Sequence, residues 1–397
     1  MPRALEGVRV LETGTLVAGP VVGTLLGDMG AEIVKVEEAA FGDTIRRSYP
    51  PLIDDISGYF LIMARNKKSC TLNLRMPKGQ EIFKELVKVC DIVTENFTPG
   101  TMDDWGLGYE ELRKVNPGII MLSNSIYGGT GPYSKRPGLD WIAQAHSGIM
   151  SVTGDIDGPA TMAGPAVSDY IGGLMAVYGV LSALHYKNRT GLGQWVDNSM
   201  FESSAFTMAW RVPHFTRLGI VAGRKGARGA GPLTRSFPTK DGDVFVVATP
   251  ARRKELLEAM GREDLLADPR FQGDRYTVLG PEATAELERL VEEWCASKTR
   301  EEIVEVLLAR DVPGAPVKNV AELMSDYQFI ARGALVEIDH PGVGRVQFQG
   351  PVPQLSLTPA RVESPAPSLG QHNDYVYREI LRLTQEQVDQ MRADGVI

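Results

Sequence analysis

Asp169 stands in the run Ala166-Val-Ser-Asp-Tyr-Ile-Gly-Gly, immediately ahead of the most apolar stretch of the chain, Tyr170 to Tyr186. A carboxylate at the head of a helix is stabilised as an anion by the N-terminal end of the helix dipole, and the neighbouring Gly172-Gly173 would let a ligand approach the backbone. An ionised carboxylate so placed can act as a nucleophile. The same residues have a plainer use. Ser168 or Asp169 can serve as an N-cap, accepting from the N–H groups that the first helical turn leaves unpaired. Residue type and position alone leave both uses open.

Other chemistries are poorly supplied. The turn Thr13-Gly-Thr-Leu-Val-Ala-Gly-Pro contains no G-x-G-x-x-G, and Gly19, Gly23 and Gly27 are spaced to let one helix face pack closely. Glu37 and Glu38 end a strand where a ribose-binding acid would sit, but acids at strand ends are common. Walker, G-x-S-x-G and H-E-x-x-H motifs are absent, and His146, His185, His214, His340 and His372 show no metal-ligand spacing, so no metal site is expected. Cys70, Cys90 and Cys295 are too far apart for a zinc or disulfide framework, which points to a reducing, cytoplasmic setting.

The elements that must position Asp169 alternate. Val8 to Glu12, Glu32 to Glu37, Ser69 to Leu74, Asp91 to Glu95 and Gly118 to Ser123 read as strands. Helical stretches at about Pro20 to Met29, Pro77 to Val89 and Tyr109 to Val115 separate them. That pattern predicts an α/β fold with a largely parallel sheet. The chain has 397 residues, 43% of them apolar and 23% charged, which suits a folded protein of two or three domains. Its net charge of −8 argues against nucleic acid as the main partner. Tyr170 to Tyr186 is shorter than the roughly 20 residues of a membrane span and reads as a buried core helix, so no membrane partner is expected. The glycine-rich run from Gly223 to Pro232 marks a boundary or hinge. Beyond it the helices near Ala251 to Met260, Ala283 to Lys298 and Arg300 to Ala309 predict a smaller α/β or α+β domain, and Tyr375 to Arg392 a final helix.

Ten segments taken together resemble the class III CoA-transferases, and the resemblance runs almost end to end. They are Leu16-Val-Ala-Gly-Pro, Gly30-Ala-Glu-Ile-Val-Lys-Val-Glu, Asn66-Lys-Lys-Ser, Glu95-Asn-Phe-Thr-Pro-Gly, Gly138-Leu-Asp, Asp169, Thr190-Gly-Leu-Gly-Gln-Trp-Val-Asp, Asp268-Pro-Arg-Phe, Val312-Pro-Gly-Ala-Pro-Val and Leu369-Gly-Gln-His-Asn. The resemblance implies a Rossmann-like large domain built from both chain ends, over 1–222 and 331–397, with a linker loop and smaller domain over 223–330. It also implies an interlocked homodimer, a heteromer with a paralogous subunit being the variant. Asp169 becomes the expected nucleophile. CoA would lie along Val17 and Ala18, Leu72, Asn73, Leu74 and Arg75, Asn96, Phe97 and Thr98, and Arg136, Pro137 and Asp140. Arg75, Lys67, Lys68, Lys135 and Arg136 would supply cations to its phosphates. Gly226, Gly229 and Gly231 resemble the family's glycine loop, which covers the site. Glu38 and Asp104 depart from the formyl-CoA transferase pattern, which has arginines there, and Arg46 or Arg47 would substitute.

A carboxylate nucleophile can carry CoA between acids without hydrolysis, because a mixed anhydride keeps the activation of the thioester. Donors for the oxyanion are expected among backbone N–H groups near the start of the Tyr170 helix. No permanent cofactor is implied, CoA thioester being a substrate. An acyl-CoA racemase of the same family would need a second base where this chain has Leu139. Arg46, Arg47, Arg224, Lys225 and Arg228 motivate a dicarboxylic donor such as succinyl-CoA. Tyr49, Tyr59, Trp141 and Trp210 are equally compatible with core positions, so the acceptor acid is not fixed.

Overall fold

The computed structural model describes residues 3–229, 233–273 and 277–397. The chain folds into two compact units, one of Met1–Met150, Met162–Val221 and Gln328–Ile397, the other of Ser151–Thr161 and Ala222–Tyr327.

The first unit is built on six strands, β1 (Arg9–Glu12), β2 (Glu32–Glu37), β3 (Lys67–Thr71), β4 (Ile92–Glu95), β5 (Ile120–Ser125) and β6 (Trp195–Ser199). They lie in the order β3-β2-β1-β4-β5-β6 and every pairing is parallel. The helices are α1 (Pro20–Asp28), α2 (Gly58–Met63), α3 (Pro77–Val87), α4 (Thr101–Asp104), α5 (Tyr109–Val115), α6 (Asp140–His146), α7 (Val167–Thr190), α8 (Met200–Phe206) and α9 (Arg211–Leu218). Strand side chains alternate between two cores. Val10, Ile92 and Ile120 face one with α1, α2 and α7, whereas Leu11, Val93 and Met121 face the other with α3, α5 and the C-terminal helix Gln385–Ala393. Strand order reverses between β1 and β4, and in open sheets of this kind ligands bind outside the carboxyl ends of the strands at that switch point.

Close packing explains several glycines. A Cβ on Gly23 would meet Glu12 Oε2 at 1.8 Å, and one on Gly173 would meet Val21 Cγ1 at 2.2 Å. A Cβ on Gly172 would come within 2.9 Å of Met200 Cγ. Gly172 and Gly173 therefore seat α7 against α1 and α8 and do not open the backbone to a ligand, which corrects the expectation from sequence. Helix α7 is also longer than expected, at 24 residues, and by length and composition it could cross a membrane. One face, with Ala176, Val180 and Ala183, packs in the core, while Leu174 and Tyr178 are 57% and 73% exposed. The expectation of a buried core helix holds for that one face and not for the other.

The second unit has a sheet of β7 (Thr234–Thr239), β8 (Gly242–Val247) and β9 (Gly314–Pro316), covered by α10 (Arg253–Ala259), α11 (Pro281–Ala296) and α12 (Arg300–Leu308). Its pairings are antiparallel, so the unit is α+β rather than α/β, the chain making a hairpin at Asp241-Gly242 before its helices begin. In the returning segment a hairpin, Leu335–His340 with Gly344–Gln349, precedes the C-terminus. The helix expected over Tyr375 to Arg392 is two pieces, a π-helical turn at Tyr375–Ile380 and the helix Gln385–Ala393, which begins at the capping box of Thr384 and Gln387.

Candidate active site

Helix α7 starts at an N-cap, Ala166, whose side chain has nothing to give the free N–H groups. They are taken from outside the helix. Asp140, at the start of α6 and 5% exposed, accepts from the backbone N–H of Ser168 (2.7 Å) and of Asp169 (3.0 Å) through one oxygen, Oδ1. Its Oδ2 accepts from Gln144 Nε2 at 2.6 Å, and Gln144 Oε1 in turn accepts from the N–H of Ala163 at 2.9 Å. Ser168 does not cap either, since its Oγ accepts from Ser204 Oγ at 2.8 Å. The N–H of Val167 goes to Pro165 and that of Tyr170 to Ala166. The backbone donors at the head of α7 are thus all engaged, and the expectation that they serve an oxyanion is withdrawn.

This leaves the Asp169 carboxyl half-buried, with no hydrogen-bond partner among the described residues. Burial, followed by the nearby Asp140 carboxylate, pushes its pKa up to about 7. The helix dipole alone would favour the anion, as the sequence suggested, but loss of solvent and a like charge outweigh it here.

Asp169 lines a cavity of about 350 Å³ at the switch point. Val17, Ala18, Asn96, Phe97, Thr98, Arg136, Pro137 and Asp140 line the same cavity. Leu72, Asn73, Leu74 and Arg75 line a second cavity of about 190 Å³, and Thr15 and Phe97 border both. The walls between them are held by the sheet. Asn96 Oδ1 accepts from Thr15 N–H at 2.8 Å and its amide donates to Thr15 C=O at 2.9 Å, joining the loops after β1 and β4. Asn124 Nδ2 donates to the carbonyl of Ala18 at 2.8 Å. Gly226 and Gly229 belong to the second unit, where the Gly226 N–H donates to Gly154 C=O. Gly231 lies outside the described residues.

Three residues that the sequence named without a fixed place stand in the cavity wall. Tyr49 and Tyr59 face the cavity, ring centroids 4.8 Å apart, and Tyr49 has φ +62°, a backbone state no sequence pattern announced. Leu139, 48% exposed, is also part of the wall, a side chain that can neither take nor give a proton.

The expected cations fare unevenly. Lys67 is fully buried, its Nζ donating to both oxygens of Glu12 (2.9 and 2.7 Å) and to Pro20 C=O. Lys68 pairs with Glu32 at 2.5 Å and lies over the Tyr375 ring. Arg46 grips Glu37 through Nε and Nη2 at 2.8 and 2.7 Å and stacks on Phe60. Burial opposes ionisation of Glu37, yet Arg46, Lys35 and Ser69 bring its pKa down to about 2. All three cations are engaged by carboxylates, Lys68 while still 35% exposed, and Arg46 lines neither cavity. Arg75 and Arg136 remain on the cavity walls, Arg136 over the Tyr133 ring at 3.6 Å. Glu38 borders the smaller cavity, and Asp104 is exposed on α4 outside both linings. Among the described residues no group of three or more His, Cys, Asp or Glu side chains is arranged to hold a metal.

A doubly wound parallel sheet with a cleft at its switch point, and an unpaired carboxyl in that cleft, places the chain in the class of α/β proteins that bind a ligand beyond their strand ends. Its particular kinship follows from comparison. Residues 5–373 match the model of CoA-transferase family III. The chain is 38% identical to the succinyl-CoA–D-citramalate CoA-transferase of Chloroflexus aurantiacus, covering 100% of this chain and 98% of the relative. It is equally 38% identical to the beta subunit of succinyl-CoA–L-malate CoA-transferase from the same organism, over 99% and 98%. Among solved structures, a CaiB/BaiF family protein from Brucella suis superposes with a TM-score of 0.84 at 31% identity, covering 96% of this chain and 100% of that one. The chain belongs to CoA-transferase family III, and it is an enzyme of the transferase class that uses CoA thioesters as substrates.

Proposed function

We propose that this enzyme moves CoA from a dicarboxylic acyl-CoA, succinyl-CoA, to a carboxylic acid acceptor, with Asp169 as the covalent nucleophile. The observation that carries the reading is the Asp169 carboxyl, which has no hydrogen-bond partner among the described residues and lines a cavity with residues that the family resemblance assigns to CoA. The ionised carboxylate attacks the thioester carbonyl and expels CoA thiolate, leaving an aspartyl–acyl anhydride. The thiolate attacks the aspartyl carbonyl of that anhydride, which releases the donor as its carboxylate and leaves an aspartyl-CoA thioester. The acceptor carboxylate then attacks this thioester and expels CoA thiolate again. Attack of the thiolate on the acceptor carbonyl completes acceptor-CoA and frees Asp169. Each step exchanges one acyl bond for another, so water must be kept out but no further reagent is needed.

The succinyl donor rests on the names of the relatives, both of which carry succinyl-CoA. The cations that first motivated it are mostly engaged: Arg46 with Glu37, Arg228 with Glu288, and Arg224 with the carbonyls of Asp155 and Gly158. Leu139 in the wall supports transfer over racemisation. A second chain, in an interlocked homodimer or with a paralogous subunit, is supported by the apolar surface of α7 to α9, where Tyr178 and Phe206 are each 73% exposed and Leu218 64%. The cytoplasmic setting is supported by three free, buried cysteines.

Incubation with succinyl-CoA, followed by hydroxylamine or borohydride and peptide mass mapping, is expected to modify Asp169. Asp169→Ala should give no adduct and lose transfer by on the order of 10⁴-fold. A folded Asp169→Ala protein with undiminished transfer sinks the reading.

A further inference from the structure

We infer that Asp140 is a positioning residue for this reaction, engaging the backbone donors at the head of α7 so that they do not draw back and blunt the Asp169 carboxylate that lines the cavity. The inference rests on Asp169 being the nucleophile.

An aspartate in the first turn of a helix is normally drawn back onto the free N–H groups beneath it. A carboxylate that accepts such bonds is stabilised as an anion, becomes less basic and gives up nucleophilicity. In this protein the two nearest donors, the N–H groups of Ser168 and Asp169, are both spent on Asp140 Oδ1. The arrangement is fixed from behind. Gln144 has its Oε1 engaged by Ala163 N–H, which turns its Nε2 towards Asp140 Oδ2. Asp140 therefore receives three hydrogen bonds while almost fully buried, and it cannot rotate away without leaving buried partners unpaired. Its charge adds a second effect, because a like charge beside Asp169 raises the affinity of that carboxyl for a proton.

The other groups that face Asp169 do not supply an alternative cap. They are the phenols of Tyr49, Tyr59 and Tyr170, with Arg136 on the cavity wall. An Asp140 that served mainly to bind CoA would act on substrate affinity. One that arms Asp169 would act on the chemical step.

Asp140→Asn removes the charge while its Oδ1 can still accept both backbone N–H groups; its Nδ2 then faces Gln144 Nε2 and that bond is lost, a loss that Gln144→Leu measures by itself. Steady-state transfer with succinyl-CoA over pH 5 to 9 is the measurement. The expected result is a fall in kcat of roughly tenfold, KM for succinyl-CoA changed by less than about threefold, and the acid limb of the kcat profile moved to lower pH by roughly one unit. A raised KM at unchanged kcat, or a lowered kcat with the acid limb unmoved, overturns the inference. Gln144→Leu keeps the charge and releases the clamp. It should lower kcat at unaltered KM with an unmoved acid limb, and it carries the test alone if Asp140→Asn does not fold; an unchanged kcat then overturns the inference. Trapping of the unaltered enzyme runs in parallel. An adduct on Asp169 with either failure above condemns Asp140 alone, whereas absence of the adduct condemns the nucleophile itself.

Discussion

Two clusters of charge in the first unit are built on opposite rules. Behind the loop after β1, Glu12, Lys35, Lys67 and Asp43 lie almost wholly out of water, and each charge meets an opposite one. Lys35 donates to Glu12 (3.2 Å), Asp43 (2.9 Å) and the carbonyl of Gly14 (2.9 Å), while Asp43 Oδ1 accepts from Leu16 N–H. At the head of α7 the charges are two acids, Asp140 and Asp169, and no cation hydrogen-bonds either among the described residues. Buried charge is tolerated when paired and costly when it is not. The first cluster therefore shapes a loop, and the second holds a carboxyl in a state the fold itself disfavours. Stored cost of that kind is what chemistry requires of a site.

The comparison breaks most readily at Lys67. Lys67→Met leaves Glu12 sharing one lysine inside the core and should lower stability by about 3–5 kcal/mol. The readout is the urea midpoint for the first unit, followed by a spectroscopic signal from Trp105 or Trp195. A loss below about 1 kcal/mol would mean that the network is solvated and the contrast false.

The opposite sign is expected at Asp169. Its folded pKa of about 7 lies above the ordinary aspartate value of 3.8, so the folded state binds the proton more tightly than the unfolded chain does. By linkage its ionisation subtracts stability as pH rises from about 4 towards 7, and the subtraction is complete above that. Asp169→Asn, which cannot ionise, should therefore stabilise the protein at pH 8 by on the order of 2 kcal/mol, and by nothing near pH 4. Thermal melts at both pH values check this. Equal shifts at both would show that the gain comes from packing and not from relief of charge.

These two clusters were unequally legible in the sequence. Alternating apolar runs were enough for a parallel sheet, because residues such as Val10 and Leu11 must serve opposite faces. The strand order was not, since it depends on pairings such as Leu11 with both Val34 and Val93 that no local pattern records. Asp169 stood out by heading an apolar run. Asp140 had only the family resemblance to mark it, because its bonds to Ser168 and Asp169 span 28 and 29 residues. Lys67 was expected to meet a CoA phosphate for the same reason, its partner Glu12 being 55 residues away. Gly172 and Gly173 were misread because a glycine that admits a ligand and one that admits a neighbouring helix look alike until the neighbour is known.

Arg136 offers the gentlest way to sharpen the contrast, because it follows neither rule. It is an exposed cation on the cavity wall, stacked on Tyr133, and no carboxylate pairs with it among the described residues. Neutralising it leaves nothing buried and unpaired, so Arg136→Ala should change stability by less than about 0.5 kcal/mol. If its charge meets a CoA phosphate, KM for succinyl-CoA should rise about three- to tenfold while kcat stays within about twofold, since uniform binding is lost and transition-state binding is not. Screening supplies the control. The difference between the variant and the unaltered enzyme should shrink as salt is raised from about 0.05 to 0.5 M, where the Debye length falls well below 10 Å. A salt-independent rise in KM would assign the loss to the stacked ring and the shape of the wall, and the charge would have no part in binding.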